Sequence, residues 1–161
     1  MTTNEYNQCV TLYADRVFRF IVKNMKNEED AQDIVQNTFE ILWKNYLNVN
    51  FEKSRSYLFT VAYHNMIDCI RKRKETDDIT DRHENIGRHG SAYNGLKEIL
   101  DEALSRLPEI QKTVVLLRDY EGYNYEEIGE ITGLNASQVK VYIFRARQAL
   151  KNYLVSTEKL I

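Results

Sequence analysis

The chain has 161 residues, of which 43% are apolar and 29% charged, a globular balance that argues against a disordered or membrane-spanning protein. No apolar run nears the roughly 18 residues a bilayer crossing needs, and the stretch from Met1 to Glu5 is not a basic segment leading into an apolar core, so neither membrane insertion nor a secretion signal is expected. The net charge of −2 excludes a uniformly basic nucleic-acid binder, so what matters is where positive charge clusters.

The two cysteines, Cys9 and Cys69, are far apart and lack metal-ligand spacing. They read as small buried thiols in a reduced, cytoplasmic protein, and no cofactor or metal is expected. One proline and six glycines favour long uninterrupted helices.

From Tyr6 to Met25, Val10, Tyr13, Ala14, Val17, Phe18, Phe20 and Ile21 recur at three- and four-residue steps, one face of an amphipathic helix. Asn27 caps the next helix, with Glu28, Glu29 and Asp30 in the first turn where the helix dipole favours acids. Its stripe is Ala31, Ile34, Val35, Thr38, Phe39, Leu42 and Tyr46. A third helix, about 54–72, is apolar almost all round, from Tyr57 to Ile70, and should be contacted on several sides.

Residues 76–95 are polar and contain glycine, and they read as a linker in which His83 and His89 are solvated. A second block then opens with the stripe Leu96, Ile99, Leu100, Ala103, Leu104 and Leu107, which stops at Pro108. Pro108 suits the first turn of another helix, which turns Ile110, Val114 and Leu117 inward and ends near Gly122.

The stretch YEEIGEITGLNASQVKVYIFRARQAL, residues 125–150, is the most informative. Asn124 with Glu127, and again Asn135 with Gln138, read as helix starts. Gly133 ends the first of these helices, and Gly129 implies that a second helix crosses closely there. Ala136, Val139, Ile143, Ala146 and Leu150 face inward, which describes a helix-turn-helix. The outward face offers Ser137, Gln138, Lys140, Val141, Tyr142, Arg145 and Arg147, with no acid between Ser137 and Lys151. Such a helix fits the major groove, with N-terminal side chains at base edges and basic ones at phosphates. A solvated basic helix in an ordinary bundle is the competing explanation.

Residues 107–150 resemble region 4 of sigma-70-family factors, the part that reads the −35 promoter element. EEDAQDIVQNTFEILWKN resembles region 2.2, and SYLFTVAYHNMIDCIRKRK resembles regions 2.3 and 2.4. With no counterpart of regions 1.1 and 3, the chain is similar to the extracytoplasmic-function group. The resemblance implies an all-α protein of two small domains: 1–75 for polymerase binding and −10 recognition, a 76–95 linker, and 96–161 for −35 recognition.

The resemblance also places roles on residues. Asp30, Asp33, Ile34, Gln36 and Phe39 match the motif that docks on the β′ coiled coil of core RNA polymerase, while region 4 would meet the β flap. Asn48, Lys53, Arg55, Tyr57, Tyr63, His64, Asn65, Arg71 and Arg73 form the expected −10 surface, where aromatics and cations hold a single strand and a loop pockets a flipped base. Promoter DNA and an anti-sigma factor are the further partners implied. His64 departs from the Asn, and Val141, Tyr142 and Phe144 from the Ser, Arg and His, frequent in relatives. Tyr142 lacks a guanidinium's paired bonds to guanine, whereas Val141 suits a thymine methyl. A stand-alone helix-turn-helix regulator and a polymerase-binding adaptor that does not read DNA remain as alternatives. Catalysis is not expected, since no nucleophile, metal cluster or phosphate-cradling glycine loop accompanies the carboxylates.

Overall fold

The computed structural model describes residues 1–77 and 95–156. Among these residues the regular elements are all helical: α1 (Thr3–Met25), α2 (Glu28–Asn45), single 3₁₀ turns at Tyr46–Asn48 and Phe51–Lys53, and α3 (Ser54–Asp77). Then come α4 (Gly95–Ser105), α5 (Glu109–Val115), a wider π turn (Leu116–Tyr120), α6 (Tyr125–Thr132) and α7 (Ala136–Ser156). The all-α class is the one expected. Most of the 76–95 stretch, with His83 and His89, lies outside the described residues, as do residues 157–161; Thr76 and Asp77 continue α3.

Local signals explain the helix ends. α1 starts before the expected Tyr6, because the Thr2 hydroxyl accepts from the Glu5 amide at 3.1 Å and the Glu5 carboxylate accepts from the Thr2 amide at 2.9 Å. It stops at Lys26, which takes a left-handed φ of 59° and donates its amide to the Val22 carbonyl. Asn27 then caps α2 as expected, accepting from the Asp30 amide at 2.9 Å.

α1, α2 and α3 form a three-helix layer. Val17, Phe20 and Ile21 meet Ala31, Ile34, Phe39 and Leu42 from α2, and Leu58, Phe59, Ala62 and Met66 from α3. Phe20 and Phe59 touch edge-on at 5.3 Å between ring centres. Each such side chain, fully buried, contributes about 1.5–3 kcal/mol. In the C-terminal helices Leu104, Val114, Leu117, Ile128, Ile131, Val139, Ile143 and Ala146 form the core. Leu96 and Ala136 correct the expected stripes. Leu96 is 57% exposed and Ala136 is exposed, because both sit in a first turn that projects past the packed part of its helix. Pro108 stands one place before the helix rather than inside it, and its carbonyl accepts from the Lys112 amide at 3.0 Å.

The two blocks pack against each other, with α3 on α6 and α1 on α4 and α5. Lys112 and Thr113 are buried in this seam. Lys112 Nζ donates to the Asn24 carbonyl at 2.9 Å, in the last turn of α1, where a cation complements the helix dipole. Burial holds the Lys112 pKa below its ordinary value. The Thr113 hydroxyl donates to Asn24 Oδ1 at 2.9 Å, while Asn24 Nδ2 donates to the Phe20 carbonyl at 2.8 Å. Thus a buried three-residue polar network links the two blocks.

Candidate nucleic-acid interface

The helix-turn-helix is built by short-range bonds. Asn124 Oδ1 accepts from the Glu127 amide at 2.8 Å, and Glu127 returns the bond to the Asn124 amide at 2.9 Å, fixing the start of α6. Gly133 closes α6 with φ 84°, a left-handed conformation that costs other residues. Asn135 and Gln138 repeat the reciprocal pair at 2.8 and 3.0 Å and start α7. Gly129 is required for a reason different from the one expected. A Cβ there would lie 2.7 Å from the Leu134 carbonyl oxygen in the turn, whereas the nearest α7 atom, Val139 Cγ2, is 4.0 Å away.

α7 buries Val139, Ile143 and Ala146 and turns Ser137, Gln138, Lys140, Val141, Arg145 and Arg147 to the outside, with Tyr142 half-buried. Six of the seven expected −35 residues therefore share the exposed side of one helix, and Tyr142 is the seventh, packed partly against the core. Phe144, 67% exposed on that helix, joins them; an exposed aromatic among basic residues was its sequence signal. Arg147 is held by Asp119, and this bond raises its pKa.

The expected −10 residues divide. Tyr57, His64 and Arg71 recur every seven residues along one face of α3. His64 and Arg71 are exposed there, Arg73 is exposed on the opposite side of the helix, and Asn48 and Lys53 are exposed in the preceding loop. That loop is pinned because the Met1 ammonium donates to the carbonyls of Tyr46 and Val49 at 2.8 and 2.9 Å. Tyr63, expected on the surface, is only 8% exposed, and burial pushes its phenol pKa up. Asn65 is half-buried, and its Nδ2 is buried without a partner. The Arg55 guanidinium lies over the Tyr123 ring at 4.3 Å, bonds the Glu121 carbonyl and sits 3.7 Å from the Glu121 carboxylate. Arg71 pairs with Asp68 at 2.9 Å, and Arg73 pairs with Asp30.

Of the expected docking residues, Asp33 and Gln36 are exposed and Asp30 is partly so, but Ile34 and Phe39 are core. The correction follows from helical geometry, since Ile34 and Phe39 fall on the face packed against α1 and α3. Asp33, Gln36, Glu40, Trp43 and Leu47 recur at three- and four-residue steps on the free side. Trp43 is 48% and Leu47 75% exposed, and Trp43 stacks on Tyr46 at 4.9 Å with Tyr6 against its edge at 5.0 Å. This rigid aromatic patch was missed, although large apolar residues on a polar face were visible in the sequence.

A helix-turn-helix whose second helix is free of acids, joined to a helical unit with an exposed acidic and aromatic patch, is the arrangement of a DNA-binding protein. Two family descriptions match the corresponding stretches: Sigma-70 region 2 over residues 9–76 and Sigma-70, region 4 over residues 97–150. RNA polymerase sigma factor SigV of Bacillus subtilis is 30% identical, and the match covers 93% of this chain and 91% of that protein. ECF RNA polymerase sigma factor SigM of the same organism is also 30% identical, with 94% of each chain covered. The chain belongs to the sigma-70 family, in its extracytoplasmic-function (ECF) group. Its fold is similar to that of the sigma factor RpoE of Bartonella quintana, solved with the anti-sigma factor NepR, at a TM-score of 0.79, 24% identity, and 92% and 96% of the two chains covered. It is also similar to that of CnrH, solved with the cytosolic domain of CnrY, at a TM-score of 0.73, 21% identity, and 96% and 90% covered.

Proposed function

We propose that this chain binds core RNA polymerase and directs it to promoters by reading the −10 and −35 elements. The observation that carries this is the free face of α7, where Ser137, Gln138, Lys140, Val141, Arg145 and Arg147 stand together, fixed by the Asn135–Gln138 caps. Ser137 and the amide nitrogen of Gln138, whose oxygen caps Asn135, reach base edges in the first turn, while Lys140 and Arg145 hold phosphates on either side. Val141 and Phe144 pack on thymine methyl groups. Such contacts give a −35 preference set by this chain's own residues.

Residues 1–75 supply polymerase docking and the −10 surface, 76–95 the connection, and 96–161 the −35 reader and a contact for the β flap. Asp33 and Gln36, with Trp43 and Leu47 beside them, are the docking face, and a half-exposed tryptophan in such a patch is a strong anchor for a partner. Asn48, Lys53, Tyr57, His64, Arg71 and Arg73 hold the opened strand. Tethering two weak readers to one polymerase raises the effective concentration of each for its element. The protein acts in the cytoplasm as a non-enzymatic initiation factor. Fold neighbours solved with anti-sigma factors support a partner of that class here.

The test is transcription with purified core polymerase over a library of promoter fragments, with and without the protein. Start sites that depend on the protein, with shared upstream sequences, are expected. Co-elution with core but no new start sites would leave an adaptor instead.

A further inference from the structure

We propose that the outer ridge of α7 reads C5-methyl groups as such, so that 5-methylcytosine stands in for thymine in the DNA element it binds. This rests on the promoter-reading function above and deepens it by naming the chemical group that is read. At about 3.6 residues per turn, Val139, Ile143 and Ala146 fall together on the buried side of α7. Ser137, Val141, Phe144 and Gln148 fall together on the side directly opposite, and all four are exposed. Val141 is 43% and Phe144 67% exposed, and they are neighbours about one turn apart. The helix thus carries an apolar pair at the centre of its outermost stripe.

The charge beside the ridge identifies its occupant. Lys140, Arg147 and Lys151 line one flank, and Arg145 lines the other. α7 carries no acid over its whole length. Cations on both sides of a neutral ridge match the two phosphate chains that border a major groove. Trp43 and Leu47 on α2, by contrast, share their exposed face with Asp33 and Glu40. The apolar pair on α7 is therefore complementary to duplex DNA, and the pair on α2 is not.

The chemistry of the ridge limits what it reads. The side chains of Val141 and Phe144 neither donate nor accept hydrogen bonds, so the bases beneath them are told apart by apolar contact. The apolar group on a major-groove base edge is the thymine C5-methyl. 5-Methylcytosine carries the same methyl on the same carbon and differs from thymine at position 4, where neither side chain forms a bond. Hydrogen-bonding groups stand at the two ends of the ridge, Ser137 and Gln138 before the pair and Gln148 after it. Tyr142 adds nothing between them, because its ring is half-buried against the core.

The full chain, with and without core polymerase, is first used to enrich duplexes from a randomised pool. Affinity is then measured for the enriched duplex and for copies with deoxyuridine at each thymine in turn, which removes the methyl and nothing else. At one position or two adjacent ones this should weaken binding about fourfold, as loss of one buried methyl does. Changing a T·A pair there to C·G should weaken it at least as much, and 5-methylcytosine in that pair should restore about fourfold. Val141→Ala and Phe144→Ala should each shrink the thymine–uracil difference, and the double variant should abolish it. Lys140→Ala should weaken the thymine and uracil duplexes alike. Equal binding of thymine and uracil duplexes at every position overturns the proposal, as does a difference that survives the double variant. So does a pool from which no duplex is enriched in either condition, since the ridge then serves a protein contact. A thymine–uracil difference on duplexes that core and protein together never transcribe supports the ridge and overturns the promoter function. Initiation at promoters that tolerate uracil throughout the element does the reverse.

Discussion

Arg147 on the outer face of α7 grips Asp119 in a two-point bond, Nε to Oδ2 at 3.1 Å and Nη2 to Oδ1 at 2.5 Å. A paired guanidinium and carboxylate of this kind fixes direction as well as distance. It ties the reading helix to the π turn that precedes the motif. The same bond neutralises a cation that duplex DNA would otherwise use. Asp119→Asn should therefore raise affinity for non-specific duplex and steepen its salt dependence by about one phosphate contact. A salt titration of binding checks this, and an unchanged slope would mean that Arg147 does not meet phosphate.

The two glycines of the motif should respond differently to alanine. At Gly129 the new Cβ meets the fixed Leu134 carbonyl at 2.7 Å, so the turn must shift. We expect Gly129→Ala to lose about 1–3 kcal/mol and duplex binding with it. At Gly133 there is room, and only the left-handed φ of 84° is penalised, by about 1–2 kcal/mol. Gly133→Asn should recover much of that loss, whereas Gly129→Asn should not. Thermal unfolding of the four variants makes the comparison.

Asn24 sits at the centre of the buried network between the blocks. Replacing it with alanine leaves the Thr113 hydroxyl without the acceptor it now reaches at 2.9 Å, while the Lys112 bond to the backbone carbonyl survives. The expected cost is about 1–3 kcal/mol, read as a lower urea midpoint. A change within about 0.5 kcal/mol, as surface substitutions give, would show that this seam is not closed in solution.

Trp43 tests the docking face without disturbing the core, since it stacks on Tyr46 at the surface. Trp43→Ala should weaken core polymerase binding at least tenfold, as loss of an aromatic anchor does. Stability should move by less than about 1 kcal/mol. Ile34→Ala, by contrast, should destabilise by about 2–5 kcal/mol through a core cavity. Binding assays paired with denaturation separate the two roles.

Short-range features were readable in the sequence because their causes are local. The caps at Asn27, Asn124 and Asn135, the stop at Gly133 and the outward set on α7 each depend on neighbours three or four residues away. The burial of Lys112, Thr113 and Glu121 was not readable. Their partners Asn24 and Arg16 lie 88 to 105 residues distant, and no periodicity carries that information. Ile34 and Phe39 were misplaced for another reason. A motif that matches a docking helix includes the residues that hold the helix in place, and only packing tells the two apart. Likewise Tyr63 was legible as an aromatic in the right helix, but its inward direction depended on how α3 packs.

Promoter opening is the step that distinguishes a sigma factor from any other helix-turn-helix protein, and permanganate reactivity of thymines on a promoter fragment reports it directly. With core polymerase and this protein together, thymines in the −10 region should become reactive, and with either alone they should not. Lys140→Glu should suppress the signal by weakening the −35 grip. If the protein shields duplex DNA strongly by itself while no thymine becomes reactive in the presence of core, the account fails and a stand-alone regulator takes its place.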